Sequence, residues 1–314
     1  MIIYRSLHEV ERDQRNVLTA GTFDGVHRGH RFILDALKKL AQQHNGAATV
    51  VTFEPHPQIV LAKKDRPPIK ILTPIEKKIE LIQREGVDKL IVIPFTREFS
   101  ELTSEEYARR ILFDTIGLQG VVIGYDHGFG KGRKGGIHTL EQLAAEHHFW
   151  VEQLPPVKQN GEIISATAIR QKLMSGHIEE ANHLLGYAYT VMGTVIHGDK
   201  RGKQIGFPTA NIELSNIHQL LPANGVYAAS GKVRGKTYAG MANIGHRPTF
   251  NGAHVTVEIH LFDFQEDIYG EPIEISFYKR IRHERKFDSV EALIQQLHRD
   301  KEVSLDVLAK ETIA

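Results

Sequence analysis

Between the apolar run Val17-Leu18-Thr19-Ala20 and an amphipathic stretch lies Gly21-Thr22-Phe23-Asp24-Gly25-Val26-His27-Arg28-Gly29-His30. This order reads as a strand, a glycine-rich turn and the opening of a helix. Two imidazoles, His27 and His30, stand three residues apart where that helix begins. First-turn N–H groups lack intrahelical partners and the helix dipole is positive at this end, so the place attracts phosphate. Gly25 and Gly29 let an anion approach the main chain closely. The chemistry that suits these residues is the handling of nucleotide phosphates. The pair has two other readings, surface histidines of no special role and a zinc site. Zinc sites favour His at i and i+4 or cysteine pairs, and the chain has no cysteine.

A second basic, glycine-rich loop runs Gly198-Asp199-Lys200-Arg201-Gly202-Lys203-Gln204-Ile205-Gly206-Phe207-Pro208-Thr209-Ala210-Asn211. Glycine N–H groups and a lysine can cradle phosphates, while the Thr209 hydroxyl and the Asn211 amide oxygen suit a hard cation such as Mg²⁺. The spacing is not that of a Walker A loop. The same composition also describes an ordinary loop between strands.

The elements around the two loops differ in texture. In the first half, apolar runs at 17–20, 48–53, 89–95 and 120–125 are short, β-branched and apolar on both faces, as buried parallel strands are. Helix signals fall between them. Ile33, Leu37, Leu40 and Ala41 share a helical face, Thr73-Pro74-Ile75-Glu76 offers a cap and a first-turn proline, and Thr103–Glu106 and Thr139–Gln142 have the form of capping boxes. A βαβ series predicts a parallel sheet with its ligands at the carboxyl ends of the strands, where His27 and His30 fall. Residues 167–185 read as one or two helices ending at Gly186. Beyond it, short alternating segments at 189–196, 225–229, 236–243, 255–261 and 273–277 predict a small antiparallel barrel. A closing helix begins near Asp288, with Asp288 and Glu291 as its capping box and Val290, Leu293, Ile294 and Leu297 as its buried stripe. The setting of the single tryptophan, Trp150, suits core or edge-strand packing.

Whole-chain numbers set the bounds. A length of 314 residues suggests about two domains. The net charge is +1, and neither half carries the basic excess of a nonspecific nucleic-acid binder. Without cysteine there are no disulfides, thiolate metal sites or cysteine nucleophiles. The start, Met1-Ile2-Ile3-Tyr4-Arg5-Ser6, lacks the apolar core of a signal peptide, and no apolar stretch approaches the ~20 residues that span a bilayer. A cytoplasmic chain with neither nucleic-acid nor membrane partners is expected.

His27-Arg28-Gly29-His30 resembles the HxGH signature of the nucleotidyltransferase superfamily. Further motifs follow at Phe53-Glu54-Pro55-His56-Pro57, at Gly124-Tyr125-Asp126 with Phe129-Gly130, and at Ile164–Arg170. The second half adds Gly202–Asn211, Gly225-Val226-Tyr227, Asn243-Ile244-Gly245 with Arg247-Pro248-Thr249-Phe250, Glu258-Ile259-His260, Tyr269-Gly270 and Arg285-Lys286-Phe287. In that order the motifs resemble, over essentially the whole chain, the bacterial bifunctional riboflavin kinase/FMN adenylyltransferases, also called FAD synthetases. The resemblance implies an α/β nucleotidyltransferase domain with a Rossmann-like parallel sheet over 1–185. It implies a small antiparallel β-barrel riboflavin kinase domain with a C-terminal helix over 186–314.

The resemblance also implies roles. In the first half, His27 and His30 would hold ATP phosphates and stabilise charge as FMN attacks the α-phosphorus to give FAD, with Gly21, Phe23, Asp24, Gly29, Asp126, Arg133, Thr167 and Arg170 binding the nucleotide. In the second half, Thr209 and Asn211 would take Mg²⁺ and phosphates, and Gly202, Lys203, Gly206 and Pro208 the nucleotide. Glu258 would orient or deprotonate the riboflavin hydroxyl. Flavin contacts would come from His56 and Pro57 in one half and from Asn243, Arg247 and Arg285 in the other. Taken as residues alone, Glu258 reads first as a solvated strand residue opposite Val255, Val257, Ile259 and Leu261, and only the resemblance reverses this; Thr167 and Arg170 are equally a cap and a surface arginine, and the flavin candidates loop or barrel-surface residues. Two positions depart from the family pattern. Ala166 stands where a serine is usual, and His127-Gly128 replaces a Phe-Arg pair. A nucleotidyltransferase acting on another phosphorylated metabolite, or a flavin-binding sensor, are the competing readings.

Overall fold

The apolar runs of the first half become the centre of one six-stranded sheet. Its strands are β1 (Ile2–Tyr4), β2 (Asn16–Ala20), β3 (Ala47–Glu54), β4 (Lys89–Pro94), β5 (Gly120–Gly124) and β6 (Trp150–Leu154). The computed structural model describes residues 1–63, 68–198, 201–249 and 252–311, and at 201, 246–249 and 252–254 only the backbone. The sheet order is β1-β4-β3-β2-β5-β6 and every pairing is parallel. The edge strands β1 and β6 carry no long apolar run, because an edge strand need bury less of itself. Trp150 lies on the β6 edge with its indole filling the space above Gly120, where any Cβ would overlap it. The connections run outward in opposite directions from β2, so the sheet reverses between β2 and β5. A crevice opens at such a reversal beyond the strands' carboxyl ends.

The helices of this half are α1 (Arg28–Gln43), α2 (Pro57–Val60), α3 (Ile75–Arg84), α4 (Arg97–Ser100), α5 (Ser104–Glu106) and α6 (Ile137–His147), with a π-helical stretch at Tyr107–Ile116. Leu34, Leu37 and Ala41 bury the inner face of α1, while Ile33 and Leu40 border it half-buried. Thr103 and Glu106 make the expected reciprocal cap. Thr139 does not cap. A bridge between Phe129 and Gly135 delivers the chain to Gly136, so α6 opens at Ile137 and Thr139 falls inside its first turn. Nor does Thr73 cap α3, because its hydroxyl is used elsewhere, as described below. A two-strand hairpin, β7 (Lys158–Gln159) and β8 (Glu162–Ile163), follows the sheet.

The alternating segments of the second half close a six-stranded antiparallel barrel. Its strands are β9 (Tyr189–Ile196), β10 (Ala210–Leu214), β11 (Gly225–Val233), β12 (Lys236–Thr249), β13 (Gly252–Leu261) and β14 (Pro272–Arg282), in the order β10-β13-β12-β11-β14-β9. Strand β10 matches none of the alternating segments, since its Ala210-Asn211-Ile212-Glu213-Leu214 buries only Ile212. Helices α7 (Ala166–Ser175) and α8 (Ile178–Leu185) precede the barrel, α9 (Arg201–Gln204) lies within the basic loop and α10 (Val290–Glu311) ends the chain. Gly186 ends α8 in the left-handed conformation, φ 81°.

The chain divides into two compact units, Met1–Ala166 and Thr167–Ala314. The texture of the sequence changes nearly twenty residues later, at Gly186, because α8 is an ordinary amphipathic helix by composition. Its Asn182 amide nonetheless donates to the Phe277 carbonyl at 2.8 Å and accepts from the Tyr189 N–H at 2.7 Å, which ties it to the barrel.

The closing helix differs from its expected form. Ser289, not Asp288, caps it, accepting from the Ala292 N–H at 3.1 Å. Val290 is 55 % exposed. Ile294 and Leu297 do pack inward, against Phe207, Met241 and Phe262, and the buried face continues through Asp300, Ser304 and Leu308. Asp300 can be buried there because Arg282 of β14 reaches it with Nε at 2.9 Å and Nη2 at 2.8 Å.

Candidate active sites

The loop after β2 is wound tightly. Phe23 (φ 46°), Gly25 (φ 86°) and Val26 (φ 36°) are all left-handed, which is strained for a β-branched valine. Bonds from the chain segment before α3 hold it. The Asp24 carboxylate, 1 % exposed, accepts from the Leu72 N–H at 2.9 Å and the Thr73 N–H at 3.1 Å. The Thr73 hydroxyl accepts from the Gly25 N–H at 3.0 Å. Asp24 thus faces inward as the anchor of the loop.

The loop delivers His27 as the N-cap of α1, its Nδ1 accepting from the His30 N–H at 3.3 Å. The two imidazoles stack, with centroids 3.7 Å apart and planes 15° from parallel, and Phe23 tilts against His30 at 5.1 Å. Gly29 is required by this arrangement, since a Cβ there would lie 3.1 Å from His27 Nδ1 and 3.3 Å from the Ile164 carbonyl oxygen. Gly21 sits similarly close to the Phe23 ring. His30 Nδ1 is buried without a hydrogen-bond partner among the described residues. Burial, and then the neighbouring His27 and Lys78, hold the His30 imidazole well below the usual histidine range. A stacked imidazole pair at a helix N-terminus beside the sheet reversal is suited to receive phosphate oxygens.

Across that reversal, β5 ends at Gly124, whose absent side chain leaves room for Ile33 of α1. Asp126 is exposed, and Arg133 donates from Nη2 to its carbonyl at 3.0 Å. The replacement of Phe-Arg by His127-Gly128 has a local reason. Arg133 packs over Gly128, where a Cβ would meet Nε at 3.1 Å, and His127 stacks on Phe129 at 5.7 Å.

The second cluster lies on the barrel. Asn211, Glu258 and Asn243 are directly opposite one another on the adjacent strands β10, β13 and β12. Cross-strand neighbours share a face, so the register gathers two amides and a carboxylate into one row. Thr209 adds a hydroxyl, donating to Glu258 Oε2 at 3.0 Å. Val257, Ile259 and Leu261 point into the barrel and Glu258 out of it, as the alternation predicts, whereas Val255 is 45 % exposed. The loop before β10 is closed by the Phe207 N–H to Gly202 carbonyl bond at 2.9 Å, with no room for a Cβ at Gly202. Phe207 anchors it in the core, and the Pro208 carbonyl is bonded to His260 Nδ1 at 2.7 Å. Lys203, Gly206, Pro208 and Thr209 are exposed around it. Thr209 and Asn211 present the oxygen donors that a hard cation takes. Among the described residues, no group of three or more His, Asp or Glu could hold a metal ion.

Comparison with known proteins follows the same division. The FAD synthetase family matches residues 9–168 and the riboflavin kinase family residues 185–308. A bifunctional riboflavin kinase/FMN adenylyltransferase of Listeria monocytogenes is 42% identical over 95% of this chain and 94% of its own length. This chain belongs to the bifunctional riboflavin kinase/FMN adenylyltransferase family. The Bacillus subtilis member is 37% identical over 95% of this chain and 94% of its own length. A crystal structure from Streptococcus pneumoniae described as a macrolide-efflux protein superposes with a TM-score of 0.87 at 33% identity, covering 96% of this chain and 98% of that one. No described helix here is long and apolar enough to cross a membrane.

The remaining candidate residues of this bifunctional chain are spread more widely. His56, 6 % exposed, caps α2 by accepting from the Gln58 N–H at 3.1 Å, and Pro57 takes the first helical position. Thr167 is exposed and Arg170 half-buried on α7, both in the second compact unit. Asn243 Nδ2 donates to Glu284 Oε1 at 3.2 Å. Arg285 is held at the surface by Gln296 of α10, at 2.5 Å, and lies over the Phe287 ring at 4.7 Å. The Arg247 side chain lies outside the described residues. Two residues beside the clusters carry no role in the sequence analysis: Lys78 and Glu284. Lys78 had one available signal, a lysine on the apolar face of an amphipathic helix, and Glu284 had none.

Proposed function

We propose that the two reactions of this family run at the two clusters, adenylyl transfer to FMN within residues 1–185 and phosphorylation of riboflavin within 186–314. The observation that carries this reading is that the His27–His30 pair and the Asn211–Glu258–Asn243 row each lie inside one compact unit and inside the residues matched by the corresponding family. The substrates are small molecules: riboflavin and ATP give FMN and ADP, then FMN and a second ATP give FAD and pyrophosphate. The working compartment is the cytoplasm.

In the kinase reaction the riboflavin 5′-hydroxyl oxygen bonds to the γ-phosphorus, the bond to ADP breaks, and the hydroxyl proton passes to Glu258. General-base help of this kind is worth about 10²- to 10⁴-fold. The Thr209 bond at 3.0 Å orients the carboxylate for that task. Mg²⁺ suits the oxygen donors Thr209 and Asn211, where it would neutralise phosphate charge. Gly202, Lys203, Gly206 and Pro208 border the nucleotide, and Asn243, Arg247 and Arg285 the flavin.

In the adenylyl transfer an FMN phosphate oxygen bonds to the α-phosphorus and pyrophosphate leaves. The nucleophile is already an anion, so the task is to offset repulsion between phosphates. His27, His30 and the N-terminus of α1 do this, with Gly21, Phe23, Asp24 and Gly29 shaping the loop. Asp126 and Arg133 complete the nucleotide contacts of this unit, and His56 and Pro57 border the flavin.

Incubating the protein with riboflavin, ATP and Mg²⁺ and separating the flavins by chromatography tests the reading. FMN followed by FAD is the expected result. Absence of phosphorylated flavin would favour a flavin sensor, and turnover of a non-flavin phosphate alone would favour a different nucleotidyltransferase.

A further inference from the structure

Lys78 lies on the buried face of α3 and is 2 % exposed. Its ammonium makes one long hydrogen bond, 3.5 Å to the Thr52 hydroxyl, and among the described residues no carboxylate lies within ion-pair distance of it. Thr52 in turn donates to the Thr22 carbonyl at 3.1 Å, in the loop that carries His27. Two carboxylates act on the ammonium through space, and each has another position to keep. Asp24 anchors that loop, and Glu54 ends β3 just before His56. Burial lowers its pKa from the ordinary lysine value, against the pull of Asp24 and Glu54 towards the ammonium. Its charge also disfavours the imidazolium form of His30.

Burying a charge without a contact partner costs several kcal/mol. Such a charge has a use where anions gather, because a fixed cation in a water-poor site acts strongly on them. We propose that Lys78 is a positioning residue for adenylyl transfer, its buried ammonium supplying a fixed positive charge behind the His27–His30 loop that draws polyphosphate there. The proposal rests on the reading that this loop carries the adenylyl transfer. Lys78 touches no reacting atom. It acts through the field and through the Thr52–Thr22 link to the loop, and it offsets the repulsion that opposes bringing the FMN phosphate to ATP. Glu54 moderates the same field from the flavin-side strand end.

The test uses the full chain and inorganic pyrophosphate as the probe, read as product inhibition of FAD formation from supplied FMN. Lys78→Met weakens pyrophosphate inhibition about tenfold or more, as expected for loss of one buried unit charge. Lys78→Arg, which keeps the charge, restores most of it. Glu54→Gln, which removes a facing negative charge, strengthens the inhibition, an effect of opposite sign that a merely structural role would not produce. FMN formation from riboflavin is unchanged in all three. Unaltered inhibition in a folded Lys78→Met, or unaltered or weaker inhibition in Glu54→Gln, overturns the proposal. Should Lys78→Met fail to fold, the sign of the Glu54→Gln effect decides alone. If His30→Ala makes FAD normally, the underlying reading of the loop has failed instead, whatever the Lys78 variants do.

Discussion

Thr209 Oγ1 donates to Glu258 Oε2 at 3.0 Å across the gap between the basic loop and β13. The hydroxyl and the carboxylate form one unit, so the oxygen proposed to take a cation and the oxygen proposed to take a proton are held in fixed relation.

Glu258→Gln therefore lowers FMN formation by about 10²- to 10⁴-fold, because the amide cannot accept the proton although it still accepts from Thr209. FAD formation from supplied FMN stays normal. Chromatographic assay of both products, each from its own flavin, checks the pair of outcomes.

His30→Ala has the complementary effect. It removes one member of the 3.7 Å imidazole stack, blocks FAD formation and spares FMN formation. Loss of both products in a soluble variant would contradict two independent sites.

Gly29→Ala acts on the same loop without removing a functional group. The added methyl meets His27 Nδ1 at 3.1 Å and the Ile164 carbonyl oxygen at 3.3 Å, and His27 cannot yield without moving the cap of α1. A loss of FAD synthesis on the order of 10²-fold follows from displacing a positioned group by a fraction of an ångström to an ångström. Steady-state kinetics of the two reactions, run side by side, measures it.

Acid weakens the first unit through His127. Burial, and then the charge of Arg133, push its imidazole down to about 4. The unfolded chain takes up this proton near an ordinary histidine pKa of about 6.5, whereas the folded chain refuses it until about 4. Folding stability is accordingly lost as pH falls through that window, on the order of 2 kcal/mol by about pH 5. His127→Phe keeps the ring against Phe129 and removes the titration. Urea unfolding at two pH values should show a smaller acid loss for the variant, and an equal loss would disprove the assignment to His127.

Asp300→Ala strands Arg282, whose guanidinium reaches into a helix face where Asp300 is 0 % exposed. Breaking such a pair costs about 3–5 kcal/mol. A lower midpoint of thermal unfolding, with FMN formation lost at correspondingly lower temperature, is the expected readout.

Much of this architecture is legible in one dimension. The four buried parallel strands announce themselves as continuous β-branched runs, and five barrel strands by alternation, because burial on two faces and on one face leave different periods in the chain. Strand β10 escapes, since only Ile212 of its five residues is buried. Capping signals divide by context. Thr103 has nothing else to bind and caps, whereas Thr73 lies beside Gly25 and turns its hydroxyl to that N–H.

The composition and order of residues by themselves determined the strand–turn–helix that presents His27 and His30, the basic loop ending in Thr209 and Asn211, and the change from a parallel sheet to a barrel. These depend on neighbours in the chain, through hydrophobic period, glycine and helix-end chemistry. Tertiary structure alone decided the row of Asn211, Glu258 and Asn243, which strand register assembles from residues far apart in sequence. It alone decided that Asp24 anchors a loop and that Lys78 is buried behind it, since burial and long-range pairing are properties of the packed chain and leave no local trace.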